Sequence, residues 1–155
     1  MGIAQMKLVR PATMIACAAA LSLPAGGGAI AEEPGTLQIA VTGLRSARGQ
    51  LIVCLWRDKA GFPDCAKSRT ALRRTVAVTG QAMTVSVPLA AAGRRAVTVV
   101  HDEDGNGRMK QNFIGMPIEG VGVSNNPGGM PGYAKSLVDV APAARITVRM
   151  KYLFD

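Results

Sequence analysis

Leu37, Ile39 and Val41 alternate with Gln38, Ala40 and Thr42, the period-two pattern of a strand with one buried face. Residues 51–56 are apolar on both faces and predict a central strand. Residues 75–78 give a short strand closed by Thr79-Gly80, and Met83, Val85 and Val87 alternate again. Residues 95–100 form a strand that runs straight into His101, and residues 136–140 add a short one. The clearest alternation is at 145–154: Ile146, Val148, Met150, Tyr152 and Phe154 share one face, and Arg145, Thr147, Arg149 and Lys151 the other. Residues 43–49, 57–69 and 90–93 separate these runs as turns or loops, and no segment carries a helical apolar stripe. The pattern predicts an all-β domain, a single antiparallel β-sandwich of about seven strands.

Residues 101–133 break the pattern, being rich in Gly, Asn and Pro with little periodicity. A loop of that length in a compact domain is usually functional or disordered. It opens on His101-Asp102-Glu103-Asp104-Gly105-Asn106-Gly107. Asp102, Asp104 and Asn106 occupy the first, third and fifth places of a calcium-loop pattern, with Gly107 at the sixth. Lys110 and Phe113 then stand where that pattern needs oxygen ligands. A tight turn therefore competes with a weak calcium site, since Asp-Gly and Asn-Gly steps tolerate positive φ. His101 is the sole histidine, and Met109, Met116 and Met130 near it raise a soft-metal reading against plain core packing.

The chain begins with Lys7 and Arg10, an apolar stretch from Thr13 to Leu23, then Pro24, three glycines and Ala29-Ile30-Ala31. That order predicts a cleavable secretory signal over 1–31, with the mature domain at 32–155. The apolar run is shorter than a bilayer span requires. A lipidated Cys17 and a retained N-terminal anchor are the rival readings of this segment. The chain is formally +8, and sixteen of its eighteen basic residues follow residue 31 against all ten acids, leaving the mature part at +6. The basic residues are scattered and aromatics are few, which excludes a nucleic-acid surface but suits attraction to an anionic envelope surface. Two of the three cysteines, Cys54 and Cys65, remain after cleavage, and an even pair in an oxidising compartment predicts a disulfide. The expected location is periplasmic or secreted.

The run from His101 to Asn126 resembles the bacterial exported domain-of-unknown-function family 2141. That family shows a His-Asp-x-Asn-x-Asn-Gly run followed by Gly-x-Pro-x-Glu-Gly-x-Gly-Phe-Ser-Asn. Gly115, Pro117, Glu119, Gly120, Gly122, Ser124 and Asn125 match it. Phe62-Pro63-Asp64-Cys65 resembles a variant with a cysteine pair, and Met150-Lys151-Tyr152-Leu153 resembles the family's last strand. The chain departs from the pattern at Lys110, where the family has Asp, at Val123, where it has Phe, and at Pro131-Gly132-Tyr133. An ammonium at Lys110 weakens the metal reading. The resemblance implies a transthyretin-like or immunoglobulin-like sandwich and supplies no activity.

The functional expectation is a non-enzymatic envelope domain that binds through the 101–133 loop, with His101, Glu119, Ser124 and Asn125 as candidate ligand contacts. The rivals are a purely structural or accessory module and a weak calcium-binding module on Asp102, Asp104 and Asn106. A hydrolase using His101 with Asp102 or Glu119 is disfavoured, because adjacent strand residues point to opposite faces. No cofactor is expected, calcium being the alternative carried with the weak cation reading, and no partner is named beyond an envelope surface or another envelope protein.

Overall fold

The alternation at 36–42 becomes strand β1 (Thr36–Thr42), with Leu37, Ile39 and Val41 fully buried on one face. The other strands are β2 (Gln50–Trp56), β3 (Leu72–Ala77), β4 (Ala82–Pro88), β5 (Gly93–Asp102), β6 (Gly120–Val123), β7 (Val138–Val140) and β8 (Arg145–Arg149). A 3-10 turn at Cys65–Lys67 and a single helical turn, α1 (Tyr133–Ser136), complete the elements. This computed structural model describes residues 35–154. The signal segment, its cleavage site before Glu32 and Cys17 lie outside the described residues.

The strands form two sheets, one in the order β4-β1-β8 and the other in the order β3-β2-β5-β6 with β7 also paired to β5. Residues of both sheets share one core. Leu37, Ile39, Val41, Val85, Val87 and Val148 come from the first sheet, and Leu51, Val53, Leu55, Val97 and Val99 from the second. Register keeps these residues together: Leu37 lies opposite Val87, Ile39 opposite Val85, and Val41 beside Val148. A one-residue slip would turn the whole set outward.

The second face of β2 and β5 is also covered, as the continuous apolar run of β2 requires. Ile52, Cys54, Trp56, Ala96 and Val100 pack there under Phe62, Cys65, Met109, Tyr133 and Leu137. Trp56 meets Phe62 edge-on at 5.2 Å, and Phe62 meets Tyr133 at 5.6 Å. The indole N–H of Trp56 donates to Thr98 Oγ1 at 2.9 Å, which avoids the roughly 1–3 kcal/mol that an orphaned buried donor costs. Cys54 and Cys65 are paired at disulfide distance with Cα atoms 6.3 Å apart, pinning the 57–69 loop over this face.

Three sequence expectations need correction. The sheets are not wholly antiparallel, because β8 runs parallel to β1. Eight strands are present rather than about seven, since β6 rises within the segment expected to be irregular. The last strand ends at Arg149: Met150 stays buried and Tyr152 is half-buried, but Phe154 is 42% exposed and does not share the core face. Among the described residues no helix is long and apolar enough to cross a membrane.

Candidate functional site

β5 ends in His101 and Asp102, both fully buried. The His101 ring sits between the Arg48 carbonyl, 2.8 Å from Nε2, and the Tyr152 hydroxyl, 2.7 Å from Nδ1. A carbonyl only accepts, so Nε2 carries the hydrogen and the tyrosine hydroxyl donates to Nδ1. The Tyr152 oxygen in turn accepts the Arg45 N–H at 3.1 Å. Arg45 stacks over the Tyr152 ring at 4.6 Å and donates to Glu103 and to the Phe154 carbonyl. The Arg45 guanidinium, with help from Ser46, holds the Glu103 carboxyl down at about 2 against its desolvation.

Asp102 organises the turn that follows. Its Oδ2 accepts from Gln50 Nε2 and from the Gly107 N–H, each at 2.7 Å, and its Oδ1 accepts the Asn106 N–H at 3.1 Å. Asp104 accepts the same Asn106 N–H and pairs with the Lys110 ammonium at 3.1 Å, which keeps its carboxyl below the usual range. Asn106 Oδ1 accepts the Arg108 N–H at 2.8 Å. Gly105 and Gly107 take φ of 72° and 78°, which lets the backbone fold back onto these side chains. The three residues read as a possible cation loop are thus already accepting backbone hydrogens.

A braced hairpin follows at 111–117. Gln111 and Pro117 bridge across its base, and Asn112 Oδ1 accepts the N–H groups of Ile114 and Met116 at 3.1 and 3.0 Å. This hairpin returns the chain to Glu119, which accepts the Lys110 N–H at 3.0 Å and is only 5% exposed. Asp102, Asp104 and Glu119 each bring one carboxylate oxygen within 4.8 Å of the others. Burial first, then the charges of Asp102 and Asp104, push the Glu119 carboxyl above its ordinary range.

β6 then leads to Ser124 and Asn125. Ser124 is fully buried; its oxygen accepts the Val97 N–H at 2.8 Å and its hydroxyl donates to the Ser136 carbonyl. Asn125, at φ 63°, donates to the Lys135 carbonyl at 2.9 Å. Asn126 ties β6 to β8 by accepting the Arg149 N–H at 2.7 Å and donating to the Thr147 carbonyl at 3.0 Å. These polar side chains hold strand ends and the α1 turn in place.

The open space of the molecule lies beside β6. A cleft of about 820 Å³ is walled by Phe62 and Pro63 of the disulfide loop, by Met116 and Pro117 of the hairpin, by Met130 and Pro131, and by Arg149, Lys151 and Leu153 near the C-terminus. Val121 and Val123 of β6 face it. Of the candidate ligand contacts and calcium residues, the cleft takes only Glu119. His101, Ser124, Asn125, Asp102, Asp104 and Asn106 lie outside its lining. The methionines read as packing or soft-metal candidates supply apolar wall. The residues missed by sequence reading are Phe62, Arg149 and Lys151. Only the chain's return of β8 beside β6 puts the last two there.

A family model described as an uncharacterized protein conserved in bacteria (DUF2141) matches residues 39–147. No curated protein and no solved structure matches the chain.

Proposed function

The chain belongs to the DUF2141 family of uncharacterized bacterial proteins, and from that premise we propose that it is an exported, non-enzymatic binding module that holds an apolar ligand in the cleft beside β6. The cleft carries the reading. At about 820 Å³ with a mostly apolar lining it falls within the roughly 300–1,000 Å³ of small-molecule sites. Its walls come from the 101–133 segment, the disulfide loop and the residues after β8, so a braced scaffold surrounds an open space. The absence of a role in chemistry is supported by the commitments of the two best candidates: His101 is sealed between Arg48 and Tyr152, and Ser124 between Val97 and Ser136. Export is supported by the leader pattern in the sequence together with a cysteine pair at disulfide distance.

Titration with the apolar dye N-phenylnaphthylamine tests the cleft. Saturable binding with blue-shifted emission is expected, weakened at least about tenfold by Met116→Asp with the melting temperature little changed. Absence of saturable binding, or binding indifferent to Met116→Asp, would leave the module a structural one. A weak calcium site is favoured by one observation, the three carboxylates within 4.8 Å of one another. The hydrogen bonds these carboxylates already accept, and Lys110 on Asp104, weigh for a turn.

A further inference from the structure

We propose that the mouth of the cleft docks on an anionic lipid surface, with Phe113 and Ile114 entering the bilayer. Phe113 is 98% exposed and Ile114 62%, at the tip of a hairpin whose backbone is fixed by Asn112 and by the Gln111–Pro117 bridge. Large apolar side chains held outward by a braced turn mark a contact surface. The same hairpin supplies cleft wall through Met116, and two further exposed apolar residues, Met130 and Leu153, line that cleft. Among the described residues, Met130 and Leu153 thus line the same opening whose wall continues into the hairpin that carries Phe113 and Ile114.

Charge selects the partner. Of the acids lining the cleft, Asp64 is paired with Lys67 at 3.5 Å and Glu119 is buried. Arg149 and Lys151 line it as exposed cations. Lys151 gives one hydrogen bond to the Pro127 carbonyl at 2.8 Å and keeps two donors for a phosphate. Apolar side chains beside exposed cations match the interface of an anionic leaflet, where the apolar part enters the acyl boundary and the cations meet headgroup phosphates. The net charge of +6 on the chain after residue 31 adds long-range attraction to the same surface.

The test uses the protein recovered from exporting cells and sedimented with vesicles of phosphatidylglycerol and phosphatidylcholine, against phosphatidylcholine alone. Binding to the anionic vesicles only is expected. Paired Phe113→Ser and Ile114→Ser should weaken it at least about tenfold. Arg149→Gln and Lys151→Gln should each weaken it about fivefold, with the whole effect declining in high salt. Phe113→Trp should blue-shift on vesicle addition, and the sequestered Trp56 should give a constant background. The serine pair lies outside the cleft lining, so retained dye binding in that variant separates the docking claim from the cleft claim. No binding to anionic vesicles, equal binding to neutral ones, or binding unchanged in the serine pair would overturn the proposal; in the first case a soluble protein partner takes its place.

Discussion

Glu119 is the residue where charge and burial are in open conflict. Desolvation and the neighbouring Asp102 and Asp104 raise its pKa, so ionising it in the folded protein costs more than in the unfolded chain. Its ionisation therefore lowers stability at neutral pH, and the loss is recovered as pH falls through the raised folded value. Glu119→Gln keeps an oxygen for the Lys110 N–H and should stabilise the protein at pH 7, with the gain fading in acid; urea denaturation at two pH values checks it. Saturating calcium at this cluster would reverse the sign, making the glutamine variant the weaker one. Glu103 behaves oppositely. With its folded pKa held at about 2 by Arg45, its contribution is complete above the unfolded value near 4.5 and is lost as pH falls from there through about 2. Glu103→Gln should cost about 1 kcal/mol at pH 7, and the cost should shrink as pH falls toward 2 and vanish below it. Asp102→Ala orphans the Gln50 and Gly107 donors, leaves the Asn106 N–H to Asp104 alone, and should cost about 2 kcal/mol, read as faster amide exchange across 101–119. Sub-millimolar calcium should leave the wild-type melting temperature unmoved. A ligand at 100 times its dissociation constant adds about 2.7 kcal/mol, so a rise abolished by Asp104→Ala would restore the cation reading.

Among the elements, the strands with side chains on both faces were legible in the sequence, and β6 was not. Gly120 and Gly122 put no side chain on one face because other groups fill that space. A Cβ at Gly120 would strike the Tyr152 ring, and one at Gly122 would lie 2.6 Å from Val148 Cγ1 and 2.9 Å from the Arg149 carbonyl. A strand written Gly-Val-Gly-Val loses the alternation that announces strands, so it reads as loop. The double-sided run of β2 was legible, and its covering layer of Phe62, Cys65 and Tyr133 explains why both faces had to be apolar. The parallel pairing of β1 with β8 was not legible, since periodicity fixes a strand's faces but not its neighbour. The site divides the same way: Asp102–Gly107 could be read as a turn from its spacing, but the cleft takes walls from segments far apart in sequence. Two substitutions test the β6–β8 contact. Gly122→Ala meets backbone that no rotamer change can clear and should cost about 2 kcal/mol. Val148→Asp places an unpaired charge in the shared core and should cost about 4 kcal/mol; a variant melting like wild type would mean β8 is not packed there.

At the scale of the molecule, the disulfide and the terminal strand secure two walls of one cleft. Reducing the Cys54–Cys65 pair opens a loop with a sequence separation of 11 and should cost about 2–3 kcal/mol. Phe62 and Pro63 ride on that loop, so dye affinity should fall together with the melting temperature. Another wall depends on β8, whose register sets Gln38 beside Arg145, more than a hundred positions away. Such a pairing has an order in time as well as a place in space. A chain made from its N-terminus emerges with β1 and β4 able to meet, but the face later filled by Val148 and Met150 stays unsealed until the final strand arrives. Until then the nascent domain has no finished core, and its apolar strand faces stay exposed. The late strand thus holds the core open until synthesis is nearly complete, and the basin that Arg149 and Lys151 help to wall is among the last parts of the domain to form.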